Sequence, residues 1–483
     1  MMTGVRAGRW GNGMVFSSLI FLFAFLPLVL AIYFIAPRRW RNFVLLIFSL
    51  VFYAWGEPIT VFLMLFSIAS AYLFGFFIVK YKENNPKRAK FFLILSVSVT
   101  LSLLLFFKYY NFFAINLSKI PAVNIPTIAR LRLPIGISFY TFQIMSYTVD
   151  LYRGECALQR NFVSFGTYVT LFPQLIAGPI VRYSDIDRQL SQRQETLFDF
   201  SDGTTRFCIG LAKKVLIGDA LAAGHRYFDS LAELSPTALG GWLTIILYTL
   251  HLYYDFSGYS DMAIGLGSMF GFRFPENFRY PYASKSITEF WRRWHISLST
   301  WFREYVYIPL GGNRQGKWKQ YRNLAIVWLL TGFWHGAGWN FVLWGVYYAV
   351  ILIVEKAFLL KLLEKKVPRF FCHFYTMLLV VIGFLIFSFT DLAEGWKCFL
   401  SLFGVGVGGF STATVRYQAL RFFPLLLLSV IGATPVPARI SRYFLQKIPK
   451  SAVIFSILTL VSFLLCVAYL VDSTFSPFAY LQF

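Results

Sequence analysis

Charged residues are scarce in this chain of 483 residues, because Asp, Glu, Lys and Arg together make up only 14% of it. An average soluble domain has about 25% charged residues and about 45–50% apolar ones. Here hydrophobic residues reach 57%, and aromatic residues alone reach 20%. This balance excludes a soluble globular domain and indicates a polytopic integral membrane protein.

Motifs of several common enzyme classes are also missing. The five cysteines, at positions 156, 208, 372, 398 and 466, have neither the spacing of a disulfide framework nor that of a metal site. The sequence contains no His-x-x-x-His pair for zinc and no Gly-x-Ser-x-Gly elbow for a serine hydrolase. We therefore expect no bound metal or cofactor, and we expect neither of those two mechanisms.

Long apolar runs are abundant instead. Phe16–Ala36, Ile59–Val79 and Ala452–Leu470 approach or reach the roughly 20 residues that span a bilayer. Shorter runs must extend into their neighbours, tilt or re-enter the membrane. The sequence predicts an all-α polytopic membrane protein with roughly ten or eleven crossings, some of them in broken helices.

The positive charge of the chain lies between the apolar runs. Lys and Arg number 45 against 22 Asp and Glu, which gives a net charge of +23. They cluster at Arg38–Arg41, Lys80–Lys90 and Arg439–Lys450, a pattern typical of cytoplasmic loops rather than of a nucleic-acid interface. We therefore expect no nucleic-acid partner, and we expect both termini to lie outside the cytoplasm.

The first residues fit this topology poorly. Residues 1–13 include Arg6 and Arg9, although the N-terminus is expected to be exported. We interpret residues 1–13 as an extension from an upstream start codon. Residues 14–483 are expected to form a single membrane domain.

Ionisable side chains inside apolar runs are the next feature, because each costs about 2.5–3.5 kcal/mol to insert and therefore suggests function. His251 and Asp255 stand four residues apart, so a helix places them on one face. They can belong to a functional site or form a polar seam that joins helices. The sequence leaves both interpretations open.

A capping box indicates the start of a helix that carries a second histidine. Ser286 and Glu289 have the spacing of that motif, and we expect the helix to run to about Tyr307. Glu289 can then pair with Arg293 across one turn. His295 would lie on a tryptophan-rich face, either as a functional group or as a structural hydrogen-bonding side chain.

A third histidine is flanked by small residues. The segment Thr331-Gly-Phe-Trp-His335-Gly-Ala-Gly338 leaves the backbone open around His335, so another chain or a ligand can approach it. A neutral imidazole in a desolvated pocket suits a general base that acts on a hydroxyl. The alternative is a histidine that packs between helices and bonds to a carbonyl.

Together, four segments strongly resemble the membrane-bound O-acyltransferase family, in particular its alginate O-acetyltransferase-like polysaccharide branch: Asp255-Phe-Ser-Gly-Tyr-Ser-Asp261, Trp294-His-Ile-Ser-Leu-Ser299, Tyr307-Ile-Pro-Leu-Gly-Gly-Asn313 and Trp334-His-Gly336. The likeness extends from Met14 to the C-terminus. It implies a ring of membrane helices around a thin central region with re-entrant or broken helices.

The resemblance also implies roles for residues and partners. His335 matches the essential residue of the family and His295 a second important polar residue, and we expect Asp255 and Asn340 to support them. The implied donor is acetyl-CoA on the cytoplasmic side, and the implied acceptor is a polysaccharide. A secreted or anchored SGNH-type partner would complete the transfer. The expected location is the bacterial cytoplasmic (inner) membrane, with several crossings of the lipid bilayer.

The aromatic tail is similar to the ending of the same branch. Ser476-Pro-Phe-Ala-Tyr480-Leu-Gln-Phe483 carries a tyrosine that we expect to relay the acyl group. Ala479 and Leu481 depart from the usual pattern. The alternative is an aromatic anchor at the membrane interface.

Two other functions stay open. D-alanyl transfer to teichoic acid from a carrier-protein thioester would use similar machinery. A transporter or a scaffold without activity is the alternative from another class, although a transporter should show inverted repeats, and the sequence contains no such symmetry.

Overall fold

Helices account for all the regular secondary structure that the computed structural model describes, which covers residues 14–121, 123–129, 131–448 and 450–472. The chain forms two compact units. The first comprises the chain up to Phe207, Tyr259–Pro275 and the described residues from Val467 onward. The second comprises Cys208–Gly258 and Glu276–Cys466.

The first unit contains most of the N-terminal helices. A π-helical turn, Phe21–Phe25, and a 3-10 turn, Arg38–Trp40, lie on either side of α1. The α-helices in order are α1 (Leu26–Ile35), α2 (Arg41–Gly56), α3 (Val61–Lys82), α4 (Pro86–Leu117), α5 (Ile137–Arg153), α6 (Phe162–Thr170), α7 (Phe172–Leu175), α8 (Tyr183–Gln192) and α9 (Leu197–Ala212), whose last turn belongs to the second unit.

Local sequence explains the turn between the two longest spans of this unit. The side chain of Asn85 accepts a hydrogen bond from the backbone nitrogen of Arg88 at 3.1 Å and so caps α4. Pro86 occupies the first helical position, where its missing N–H costs no helical hydrogen bond. The connection between α3 and α4, within the lysine-rich stretch Lys80–Lys90, is therefore a sharp, capped turn.

The second unit contains the remaining helices. They are α10 (Asp219–Leu234), α11 (Ala238–Met269), α12 (Ile287–Trp291), α13 (Ile296–Phe302), α14 (Lys317–His335), α15 (Trp339–Val354), α16 (Leu360–Lys365), α17 (Arg369–Ser388), α18 (Leu392–Ser401), α19 (Ala413–Gly432), α20 (Val436–Lys447) and α21 (Ser451–Asp472). A 3-10 turn lies at Pro281–Ala283. The last parts of α11 and α21 belong to the first unit.

Five helices in the described part of the chain are long and apolar enough to cross a membrane: α3, α4, α17, α19 and α21. The windows of α19 and α21 are only 11% and 6% buried, as expected for helices that face lipid. The apolar segment Phe21–Ile35 is shorter. The chain is thus a multi-pass, all-helical membrane protein, while the ten or eleven crossings stay a prediction.

Irregular helical segments are present in the second unit. Three π-helical segments interrupt the second unit, at Lys213–Gly218, Arg303–Tyr307 and Glu355–Leu359. Such segments are rare and occur often at functional sites, because the extra residue per turn redirects side chains. Two of them carry buried charges, Lys214 and Glu355.

Candidate active site

His335 is the last residue of α14, at the point where the helix must stop. Gly336 follows with an extended backbone, and α15 begins three residues later at Trp339. A Cβ atom on Gly336 would overlap the ring of Phe341, so the chain can turn here only because the residue is glycine. His335 is 8% exposed, which places its imidazole in a nearly closed environment.

Two further glycines hold α14 and α15 together. A Cβ atom on Gly345 would lie 2.6 Å from the carbonyl oxygen of Trp328, and one on Gly332 would overlap the carbonyl of Phe341. The two helices therefore approach with backbone against backbone, as small residues permit in membrane proteins. This hairpin fixes the position of His335.

Aromatic rings surround the imidazole of His335. The ring centroids of Trp334, Trp344 and Phe387 lie 5.0, 5.0 and 5.4 Å away. Asn340 contributes indirectly, since its fully buried side chain donates a hydrogen bond to the carbonyl oxygen of Phe387 at 3.0 Å. That bond ties the start of α15 to the end of α17.

The helix expected from Ser286 to Tyr307 is broken, so that prediction was wrong. Ser286 does cap α12 by accepting a hydrogen bond from Glu289 N at 3.0 Å, but α12 ends at Trp291 and α13 begins at Ile296. Between them His295 has φ 44° and ψ 55°, a left-handed conformation that is uncommon outside glycine. The tryptophan-rich face expected along this segment is therefore divided.

Contacts from a distant loop explain the break. The backbone nitrogen of Ile296 donates to the carbonyl oxygen of Asn277 at 3.0 Å, and that of Arg279 donates to Arg293 at 2.9 Å. These bonds replace those of a continuous helix. The ion pair expected between Glu289 and Arg293 is confirmed at 2.6 Å.

The side chain of Asn277 also orients His295. Its Oδ1 atom accepts hydrogen bonds from Ser297 N at 3.2 Å and Ser297 Oγ at 2.9 Å, and lies 3.2 Å from His295 Nδ1. Because the backbone N–H of Ser297 can only donate, the Asn277 atom is an acceptor, and Nδ1 must carry the proton. The imidazole is 1% exposed and held in one tautomer.

Trp334 connects the two histidines. Its ring lies 6.0 Å from that of His295 and 5.0 Å from that of His335, by centroids. Phe256 packs edge-on against His295 from α11 at 4.8 Å. The structure therefore brings the two histidines predicted from sequence to one aromatic site.

A buried carboxylate that the sequence analysis missed positions this site. Glu355, 1% exposed, accepts hydrogen bonds from Ile287 N at 2.8 Å and from Thr288 N and Thr288 Oγ1, both at 2.7 Å. Tyr375 adds a fourth at 3.3 Å. Glu355 thus neutralises the N-terminus of α12. An acidic residue at the end of an apolar run was the signal that could have found it.

A family model for membrane-bound O-acyltransferases (MBOAT) matches residues 159–396, which include both histidines. A protein of Azotobacter vinelandii named "Probable alginate O-acetylase AlgI" is 44% identical over 427 residues, covering 87% of this chain and 84% of the relative. The chain belongs to the membrane-bound O-acyltransferase family. The O-acyltransferase resemblance carried by the motifs is thereby confirmed.

Other relatives of this O-acyltransferase differ in the polymer they are named for. A peptidoglycan O-acetyltransferase of Helicobacter pylori is 35% identical over 448 residues, covering 85% of this chain and 83% of the relative. A teichoic acid D-alanyltransferase of Bacillus subtilis is 30% identical over 275 residues, covering 53% of this chain and 68% of the relative.

Asp255 lies in a separate ionic cluster of the O-acyltransferase. Its carboxylate is 3.7 Å from the ammonium of Lys214, which is fully buried and also pairs with Asp219. His251, one turn before Asp255, bonds through Nδ1 to the carbonyl oxygen of Gly218 at 2.9 Å. Asp255 precedes Phe256, which touches His295, so this cluster supports the helix that forms one wall of the site.

Trp344, whose ring packs against His335, belongs to a group of aromatic residues with unsatisfied buried polar atoms. Trp291 Nε1, Trp344 Nε1 and the Tyr348 hydroxyl are buried without a hydrogen-bond partner among the described residues. Their rings pack together at centroid distances of 4.9 to 5.5 Å. Buried donors of this kind normally find a partner, so they offer hydrogen bonds to a water or a ligand.

Tyr480 and residues 1–13 lie outside the described residues.

Proposed function

We propose that this O-acyltransferase attaches acetyl groups to hydroxyls of a cell-surface or secreted polysaccharide, with His335 acting on the attacking hydroxyl. The observation that carries the proposal is the placement of His335 at a glycine-flanked helix end within an aromatic pocket that His295 shares. The relatives named for alginate and for peptidoglycan acetylation support the acetyl group and the polysaccharide.

The proposed chemistry is acyl transfer from a thioester. The hydroxyl oxygen attacks the thioester carbonyl carbon, a C–O bond forms, and the C–S bond breaks. His335 takes the proton of the hydroxyl and returns it to the departing thiolate. A neutral imidazole can take up a proton and return it in this way. General-base catalysis of this kind contributes about 10²–10⁴-fold to the reaction rate.

The tautomer of His295 refines its proposed role. With the proton on Nδ1 and directed at Asn277, Nε2 of the neutral ring can accept but not donate a hydrogen bond. His295 would therefore position a substrate N–H or O–H group. Polarising the thioester carbonyl would instead need a donor at that atom.

We also propose an acyl donor, a partner protein, a membrane orientation and a relay residue. Acetyl-CoA from the cytoplasm, an SGNH-type partner, an inner-membrane location with both termini outside, and acyl relay by Tyr480 are proposed from the family resemblance and the charge pattern. Carrier-dependent D-alanyl transfer is the second candidate. It is supported by the Bacillus subtilis relative, whose match covers less of this chain.

The first experiment compares ester-linked acetate on the surface polymer of cells that carry the native chain or His335→Ala at matched membrane abundance. We expect at least a roughly hundredfold loss of acetate in the variant. His225→Ala is the matched control. His225 bonds to the carbonyl oxygen of Thr244 at 3.1 Å, and it is distant in sequence from the two site histidines and shares no bonding partner with them. Acetate retained in His335→Ala would contradict the role of His335. D-alanine in place of acetate would support the second candidate.

A further inference from the structure

A cavity of about 430 Å³ opens in the second unit, lined by residues that neither the site nor its proposed chemistry uses. Ligand pockets usually enclose about 300–1,000 Å³, so this one can hold a small molecule or part of a larger one. Its walls come from α11, α17, α19 and the loop before α12. The side chains divide into a cationic group and an apolar group.

The cationic group lies where α17 begins. Arg369 is the first residue of α17, and Lys285 comes from the loop before α12. His373, one turn into α17, bonds through Nδ1 to the carbonyl oxygen of Ser284 at 3.2 Å, which ties that loop to the helix. Because a carbonyl oxygen only accepts, Nδ1 carries the proton. Lys285 and Arg369 are solvent-exposed, so their charges are available to a ligand.

The apolar group continues along the membrane-spanning helices. Leu250 from α11, Met377 from α17 and Val430 from α19 line the cavity. Both α17 and α19 are long and apolar enough to cross a membrane. Val430 is 52% exposed on the lipid-facing side of α19, so the cavity is bordered by the surface that would contact acyl chains.

The surroundings indicate that the cationic end lies at the membrane interface. Phe370, Phe371 and Phe374 project from the first turns of α17 and are 72%, 59% and 60% exposed. Exposed phenylalanine side chains are apolar and are expected to contact lipid, whereas lysines near helix ends extend to the membrane–water interface. Just before α17, Lys361, Lys365 and Lys366 are also exposed. Basic pockets between membrane helices at such a level bind anionic headgroups.

We propose that this cavity binds an anionic phospholipid, with the phosphate between Lys285 and Arg369 and an acyl chain along Leu250, Met377 and Val430. A soluble phosphate would use the cations but not the apolar wall. A zwitterionic lipid would use the wall but offers no net charge. An anionic phospholipid matches both groups of side chains, and the inference is independent of the acyl-transfer chemistry.

The test uses the purified full-length chain in a neutral detergent. Binding of dihexanoyl phosphatidylglycerol is compared with binding of dihexanoyl phosphatidylcholine, which has the same acyl chains without net charge. We expect the anionic lipid to bind roughly tenfold more tightly or better, because the two cations attract its net negative charge. The double variant Lys285→Gln with Arg369→Gln should lose this preference.

Control variants and a soluble competitor distinguish lipid binding in the cavity from attraction to surface charge or to phosphate alone. Lys317→Gln with Lys319→Gln removes two exposed cations that do not line the cavity and should keep the preference. Val430→Trp narrows the apolar side and should weaken lipid binding without altering charge. Glycerol 3-phosphate should not displace the lipid at equal concentration. Equal binding of both lipids, or displacement by glycerol 3-phosphate, would overturn the proposal.

Discussion

At the scale of single residues, the two histidines differ in how tightly the protein controls them. His335 is placed by backbone geometry, at a helix end between glycines. His295 is placed by a side chain, because Asn277 fixes both its tautomer and the left-handed turn that carries it. Strained backbone of this kind persists where surrounding bonds determine it. Asn277 is therefore a positioning residue for His295.

Replacing Asn277 should impair activity through His295. Asn277→Ala removes the acceptor for Nδ1 and for Ser297, so we expect polymer acetylation to fall about ten- to a hundredfold, as loss of a buried hydrogen-bonding partner costs about 1–3 kcal/mol. Asn277→Asp keeps an acceptor oxygen and should retain more activity than the alanine variant. Asn84→Ala, at an exposed turn, is the control. Equal activity of the alanine and aspartate variants would contradict the positioning role.

At the scale of secondary-structure elements, short broken helices depend on charges from elsewhere in the sequence. Isolated helices of five residues such as α12 are unstable, because nucleation is costly. Ser286 caps α12 locally, and Glu355 on a π-helical segment accepts its first N–H groups. The capping box was readable from sequence. The end of α12 could not be read from the sequence. It depends on hydrogen bonds between the loop at Asn277 and the residues around His295, which lie well apart along the chain.

Glu355→Gln tests the stabilising role of this carboxylate. Glutamine keeps the volume but loses the negative charge and one acceptor oxygen, so one N–H of α12 loses its acceptor. Hydrogen bonds to charged groups contribute about 1.5–3 kcal/mol each, and we expect a loss of stability of that order. The measurement is the thermal unfolding midpoint of the detergent-purified protein. Glu364→Gln, at an exposed position on α16, should leave the midpoint unchanged.

At the scale of the whole molecule, composition predicted the membrane class, and the motifs singled out two histidines that the structure brings to one aromatic site. Apolar runs predict spans, and a polar residue inside such a run stands out. Asn277 and Lys214 did not stand out in this way, since their roles depend on contacts formed by folding. Glu355 could have been noticed as an acidic residue next to an apolar run. Charged residues at the end of such a run, however, also mark the ordinary end of a membrane span. The supporting roles of Asp255 and Asn340 stay predictions, and their contacts with Lys214 and Phe387 are the proposed routes.

The orientation of the membrane spans can be tested on α17, which separates two segments of different charge. Lys361, Lys365 and Lys366 precede it, whereas Asp391 and Glu394 follow it. By the positive-inside pattern, the lysine side is cytoplasmic and the segment after α18 is outside. In a cysteine-free background, Gly408→Cys should react with a membrane-impermeant maleimide in intact cells, because nothing lies within 4 Å of a side chain there. Lys365→Cys, exposed at the end of α16, should react only after permeabilisation. Labelling in the reverse order would place the lysine side of α17 outside the cytoplasm and would contradict the proposed orientation of the membrane spans.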